Sequence, residues 1–448
     1  MNRLNLNLAV LLLTSLTSTV SFSEDLLDVF SMSLKTDPQL LAESASRQAV
    51  SELEAQAKAL FLPQIDLSAN DGKVWQDTSS STIIGGGVGD REYNQHGYSL
   101  SISQPVYRRQ NFVQRAQADI AIEGAQASYQ IVEQALIVRV AERYFEVLAR
   151  QDDVTFSIAE RESIAQQLEQ TQQRFDVGMA TITDVVESQA AYDISNASVI
   201  GAENELANSR ERLRETSGSY SKSLSTLKEE SPLVRPEPED IEQWTNVALT
   251  QNPNLLVAKS AVDNAGQSID LQKSGHYPTL DIVGQKAFDS QSDSNFFGSS
   301  KTHQETISLQ FNLPIYSGGS VQSKTRESEF RLDEAMQNEE LQRRSVIRQS
   351  RESYNGVISG VSRTTALKQA VISSEKALES TEAGYDVGTR TTVEVLNVRS
   401  ALFKARRDYA SSRYNYILSS LRLKQAAGTV NVDDLGKINQ WLEVNKDQ

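Results

Sequence analysis

The sequence predicts an α+β membrane protein, mostly long coiled-coil α-helices with four β-strands per chain, and three observations carry that prediction. The chain repeats itself, each half contains a long proline-free run rich in helix formers, and each half contains segments in which apolar and polar residues alternate. Thr36-Asp37-Pro38-Gln39-Leu40-Leu41 returns as Gln251-Asn252-Pro253-Asn254-Leu255-Leu256, and Leu62-Pro63-Gln64-Ile65-Asp66-Leu67 returns as Tyr277-Pro278-Thr279-Leu280-Asp281-Ile282, both 215 positions on. Gln104-Pro105-Val106-Tyr107 matches Leu313-Pro314-Ile315-Tyr316, and Asp176-Val177-Gly178 matches Asp386-Val387-Gly388, at offsets of 209 and 210. Four matches in the same order at a nearly constant offset imply an internal duplication, with a first repeat over 24–231 and a second over 232–448.

The first element is an export signal. Arg3 precedes an apolar stretch from Leu8 to Leu13, and Ser21-Phe22-Ser23 supplies small residues before a cut at Glu24, so 1–23 reads as a signal peptide. An uncleaved anchor would need ~20 apolar residues, and this stretch is well short of that. No later segment is long and apolar enough to form a transmembrane helix. The chain has no cysteine, which excludes a disulfide framework, thiolate metal sites and a lipidated N-terminal cysteine. With 59 acidic against 44 basic residues it is also a poor partner for nucleic acid, whose phosphates need clustered Lys and Arg.

Within each repeat a short helical segment leads into a β-hairpin, expected at about 61–107 and 277–316. Tyr98, Leu100 and Ile102 alternate with Ser99, Ser101 and Ser103; Ile307, Leu309, Phe311 and Leu313 alternate with Ser308, Gln310 and Asn312. Ile65-Asp66-Leu67-Ser68-Ala69-Asn70 has the same period of two, the mark of a strand with one apolar and one wet face. Polar inserts around Gly85-Gly86-Gly87 and from Ser290 to Ser300 are read as long hairpin tips. A soluble sheet with one face on a core is the commoner source of such alternation. Two hairpins, however, leave bare edges with no further strands to cover them. If the apolar face meets lipid the sheet must close, and four strands are too few for a barrel, so several chains must share one.

After each hairpin come the long helices. The nine prolines leave 106–231 and 315–448 free of helix breakers, and both stretches are rich in Ala, Gln, Glu and Arg. Tyr129, Val132, Leu136, Val140, Tyr144 and Leu148 recur at spacings of three and four, an amphipathic face that packs on a neighbour. A helix of ~60 residues would be about 90 Å long, too long for one globule, so these helices pair as coiled coils. Each pair turns at Asp-Val-Gly: Gly178 and Gly388 can take the left-handed conformation that ends a helix, and Thr183 and Thr391 are the expected starters of the next.

Two stretches carry a family resemblance most specifically. They are Gln170-Thr171-Gln172-Gln173-Arg174-Phe175-Asp176-Val177-Gly178, followed by Ala180 to Val185, and Glu382-Ala383-Gly384-Tyr385-Asp386-Val387-Gly388-Thr389-Arg390-Thr391, followed by Val393 to Leu396. With these and the order of its elements, the chain from Glu24 to about Leu435 resembles the TolC family of outer-membrane efflux and secretion proteins. The resemblance implies a homotrimer whose hairpins share a twelve-stranded β-barrel in the outer-membrane lipid of a Gram-negative bacterium, continued by an α-barrel across the periplasm. It implies docking to a periplasmic adaptor, or membrane fusion protein, and through it to an inner-membrane transporter of ABC, RND or MFS type. It also implies a periplasmic gate at the turns, in which Thr183 and Asp184 accept from Arg390 and Tyr385, with Gln167 and Glu382 as supporting partners. Where many relatives ring the constriction with two aspartates, this chain carries Glu394 and Asn397, so a threefold pore would have one ring of carboxylates and one of neutral amides.

An enzyme is not expected. His96, His276 and His303 lie in or beside predicted strands without metal-ligand spacing, no glycine loop suits a phosphate, and neither a metal nor a cofactor is called for. The rival reading is a periplasmic coiled-coil scaffold or adaptor without a pore, which would not need alternating hairpins in both halves.

Overall fold

The computed structural model describes residues 23–78, 89–221, 223–294 and 298–443. The expected signal peptide and the Gly85 to Gly87 tip lie outside those residues. Helices α1 (Leu26–Thr36) and α2 (Pro38–Ala59) lead into strands β1 (Gln64–Thr78) and β2 (Gly89–Arg108), then α3 (Arg109–Asp176) and α4 (Ile182–Ser217). A two-residue strand, β3 (Thr226–Leu227), is followed by the same succession: α5 (Ile241–Gln251), α6 (Pro253–Lys273), β4 (Thr279–Ser294), β5 (Gly298–Asn312), α7 (Ser320–Asp386) and α8 (Thr392–Ala426). Helix α9 (Val432–Asn439) and strand β6 (Leu442–Glu443) end the described chain, β6 pairing with β3.

The first sequence match has a local cause. Asp37 and Asn252 are N-caps, accepting from the amides of Leu40 and Asn254, and Pro38 and Pro253 occupy the first helical position, where a missing N–H is harmless. Both caps also do a second job. The Asp37 carboxylate takes Arg139 of α3 at 2.7 Å, and the Asn252 amide donates to the Ala426 carbonyl at the end of α8 at 2.8 Å. Each cap thereby sets where a short helix meets a long one.

The two hairpins lie side by side in one antiparallel sheet of order β1-β2-β4-β5. Register puts Ile65 and Leu67 opposite Ile102 and Leu100, and Leu280, Ile282 and Gly284 opposite Phe311, Leu309 and Ile307. All of these share one face, and that face is bare: Ile307 is 87% exposed and Leu67 74%. The other face carries Ser68 and Ser99, whose hydroxyls meet at 2.8 Å, and Ser101, Gln285, Thr306 and Gln310. From Phe311 to His303 along β5 the bare face extends about 26 Å, or ~20 Å of membrane depth once tilted, close to the band an outer-membrane barrel presents to lipid. Its one cross-strand charge pair in that span, Lys286 with Glu305 at 2.7 Å, neutralises itself. Towards the tips Tyr98, Phe288 and His303 stack edge to edge, with centroids 5.2 and 4.8 Å apart, as an aromatic girdle does at a membrane interface. The Ser290 to Ser300 insert is shorter than its composition suggests. Strands β4 and β5 continue through Ser294 and from Gly298, because polar residues pair as well as apolar ones once a hairpin is in register.

At 68 and 67 residues α3 and α7 are about 100 Å long. Near the sheet they pack with α2 and α6; further away α3 pairs with α4 and α7 with α8. The core lies at the waist between these regions, where Leu136, Val140, Tyr144, Phe145 and Leu148 of α3 meet Leu26 and Phe30 of α1, Leu213 of α4, Ile417 and Leu421 of α8, and Leu435 of α9. Tyr129 and Val132, the first two members of the predicted stripe, pack on its margin. Tyr144 is buried to its hydroxyl, which donates to the Ser225 carbonyl at 2.8 Å and so anchors the connection between the repeats.

Beyond the waist most buried side chains become small or polar, and from the waist outward α3 and α8 are joined by a ladder. Arg422 meets Glu142 at 2.6 Å, Tyr414 donates to Asp152 at 2.7 Å, Arg407 meets Glu160 at 2.8 Å, and Arg399 donates to the Ser163 carbonyl at 2.5 Å. The rungs recur along α8 every seven or eight residues, two helical turns, so they lie on the one face turned to α3.

Candidate functional site at the helix turns

The two Asp-Val-Gly turns are built alike. Asp176 and Asp386 end their helices, and Gly178 and Gly388 take φ of 79° and 78°. The amides of Met179 and Thr389 then close back on the carbonyls of Arg174 and Gly384, both at 2.8 Å. Only glycine takes that backbone without strain, which is why the motif needs it twice. The next helix begins with a capping box in each turn: Thr181 with Asp184, and Thr391 with Glu394, each threonine accepting the amide three residues on while the acid reaches back to the threonine amide. Thr391 is the expected starter. In the first turn the starter is Thr181 and not Thr183, which lies one position inside α4 and is exposed. The Thr-X-X-Asp spacing carried that signal.

The cap charges the site. Asp184 accepts from the Thr181 hydroxyl at 2.7 Å and its amide at 2.9 Å, and these bonds hold its carboxyl below the usual aspartate range, with partial burial opposing and Thr392 of α8 assisting. Glu394 is held low by the Thr391 amide first, then by Arg390 of the turn, whose Nη1 lies 2.8 Å from its carboxylate. Tyr385 is 9% exposed. Its hydroxyl accepts from Thr392 at 3.4 Å, and its ring lies under the Arg174 guanidinium, 4.4 Å from the centroid. Arg174 also grips Asp386 at 2.7 Å, clasping the end of α3 to the end of α7. Gly384 makes room for this corner: a Cβ there would lie 2.7 Å from the Arg390 Cγ.

Within one chain, then, Asp184 and Tyr385 come to the same corner through Thr392. Arg390 does not reach Asp184 or Thr183 and turns instead to Glu394. Gln167 and Glu382 are not bonded to each other. Gln167, 2% exposed, donates to Thr171 at 3.4 Å one turn on, and Glu382 takes Arg399 of α8. Glu394 and Asn397 sit three residues apart on α8, Asn397 exposed and Glu394 half-buried, on the side away from the buried Val395 and Arg399. Arg174, Thr392 and Arg399 are functional candidates that the sequence did not single out. Each gains its place from a neighbour on another helix. Among the described residues no cluster of His, Asp or Glu is arranged to hold a metal.

A sheet that is apolar outside, polar inside and open at both edges, set on paired coiled coils, defines a membrane duct assembled from several copies of the chain. Comparison with known proteins agrees. The family described as "Outer membrane efflux protein" matches over residues 29–219 and 244–429. Outer membrane protein TolC of Vibrio cholerae serotype O1 is 36% identical over 433 residues, covering 96% of each chain. The alkaline protease secretion protein AprF of Pseudomonas aeruginosa is 25% identical, over 93% of this chain and 86% of its own. Among solved structures the Campylobacter jejuni CmeC outer membrane channel superposes with a TM-score of 0.76 at 15% identity, over 93% of this chain and 90% of that one. The chain belongs to the outer membrane efflux protein family. It is a channel of the Gram-negative outer membrane, a β-barrel continued by a helical tunnel in the periplasm, and serves as an exit duct for efflux or secretion.

Proposed function

We propose that three copies form the duct, that the Asp-Val-Gly turns close its periplasmic mouth, and that a docked adaptor opens it for cargo from an inner-membrane transporter. The observation that carries the gate is the state of Arg390. Its side chain is more than half exposed and, from the turn just before α8, holds only Glu394 in the first turn of that helix, while Thr183 and Asp184 offer acceptors on the neighbouring coil. An exposed i,i+4 pair contributes little, so the fork exchanges readily for Thr183 and Asp184 of the adjacent copy. Tyr385 steadies Asp184 from within the chain through Thr392, and Gln167 and Glu382 stiffen the two coils behind it. Glu394 and Asn397, on the exposed side of α8, supply the constriction.

Relatives include an alkaline protease secretion protein and a cobalt-zinc-cadmium resistance protein. For this chain the reading is the exit duct of a tripartite efflux or type I secretion system, with an ABC, RND or MFS transporter choosing the cargo. The two repeats, 24–231 and 232–448, then act as two staves of each subunit. Because the chain lacks cysteine, a paired Asp184→Cys and Arg390→Cys variant gives a clean test. Oxidation is expected to produce a covalent trimer and to stop export until reductant is added. Cross-linking confined within single subunits, or none, overturns the gate.

A further inference from the structure

We propose that Arg399 is a positioning residue of the gate: it holds the second coil against the first, and its release lets the tunnel mouth widen. The proposal rests on the turns being the gate and adds the element that sets their resting position. Arg399 is 7% exposed, a buried charge two turns from the start of α8. Its Nη1 donates to the Ser163 carbonyl of α3 and its Nη2 to the Glu382 carboxylate of α7, both at 2.5 Å, so one guanidinium grips three helices. Of the four ladder rungs between α3 and α8 it lies nearest the turns, and it alone of the four also takes α7.

Two features make it a releasable clamp and not a fixed strut. Its Nε is buried without a hydrogen-bond partner, so the closed arrangement leaves one donor of a buried cation unmet. Its carboxylate partner is only half covered, the Glu382 side chain being 42% exposed. Swinging α7 and α8 away from α3 would break the Ser163 bond and admit water to the whole guanidinium, while the Glu382 carboxylate, which aims the fork at Ser163 in the closed arrangement, stays with it. The arginine thus loses one charge-assisted bond on opening and regains solvation, a balance close enough for a docked partner to tip. The next rung, Arg407 with Glu160, lacks this hold on α7 and marks where the coils stay together.

The test is single-channel conductance of the purified full-length trimer in planar bilayers, with heat-sensitive trimer migration on gels as the control for assembly. Arg399→Gln is expected to raise the open fraction by about tenfold, Arg399→Lys to restore part of the closure, and Glu382→Gln to act in the same direction. Arg407→Gln is expected to weaken the trimer to heat without raising conductance. If Arg399→Gln does not assemble, Glu382→Gln, at a half-exposed site, carries the test alone. Wild-type conductance in the Arg399 and Glu382 variants, or an equal rise in Arg407→Gln, overturns the proposal. Arg390→Ser with Tyr385→Phe, run alongside, separates the two ideas. A rise there without one at Arg399 removes the clamp and keeps the gate, whereas no rise in any variant removes both.

Discussion

Replacing Arg390 by Ser and Tyr385 by Phe should open the resting channel. The substitutions are chosen to remove hydrogen bonds and leave packing in place: phenylalanine keeps the ring beneath Arg174, and serine at the exposed Arg390 leaves no cavity. The phenol's bond to Thr392 is long, at 3.4 Å; it lies within the α7–α8 coil and acts on the gate by keeping Thr392 beside Asp184 of α4, and a hydrogen bond of this kind contributes ~0.5–1.5 kcal/mol. The proposed contact of Arg390 with Asp184 of the adjacent copy, an exposed ion pair, would add ~0.2–1 kcal/mol. One subunit therefore loses about 1–2 kcal/mol, and three lose roughly 3–6 kcal/mol, which spans the ~5.5 kcal/mol that turns a 1:99 equilibrium into 99:1. Planar-bilayer recordings should show most openings at a higher conductance level, with either single substitution in between. Wild-type conductance in the double variant would refute the reasoning, since no other bond at the turn compensates for both.

The remaining predictions concern charge at the same turns. Asp184 is held below the ordinary aspartate range by Thr181, so its contribution is complete above the unfolded-state value of 3.8 and disappears as pH falls through the lower folded value. The acid loss of stability in thermal unfolding of the trimer should accordingly include a part that sets in only below about pH 4, and Thr181→Ala, which removes a cap of ~1 kcal/mol, should shrink that part. At the constriction, one carboxylate ring per trimer predicts weak block by multivalent cations. Asn397→Asp should strengthen the block in bilayer recordings and Glu394→Gln should abolish it; equal block in all three proteins would count against the ring.

What the sequence reveals about this chain follows the range of the forces involved. Helices, turns and strands are legible because their causes are local: Gly178 and Gly388 need a left-handed backbone, Pro38 and Pro253 need the first turn of a helix, and Leu67 and Leu100 alternate with serines. The site at the turns is legible only in part. Asp184, Tyr385 and Arg390 are named through the family resemblance, but Arg174 and Arg399 cannot be told from the many other arginines of these helices. Arg174 becomes distinctive because α7 brings the Tyr385 ring beneath it, and Arg399 because Ser163 and Glu382 converge on it from two other helices. Thr181 and Thr183 both suit a helix start, and only the reciprocal bonds with Asp184 make Thr181 the cap.

The open edges of the sheet govern how this protein can be made. Strands β1 and β5, each fifteen residues long, are the two free edges of the sheet, so closing a barrel has to pair the last strand of one copy with the first strand of the next. In lipid a lone subunit would face hydrocarbon with two rows of unanswered backbone amides and carbonyls, each costing several kcal/mol. Insertion therefore has to wait for partners: the encounter of subunits comes before the membrane step, and the supply of functional channels should fall more steeply than the supply of chain. Where most subunits are still unassembled, halving the polypeptide more than halves the number of channels, by mass action.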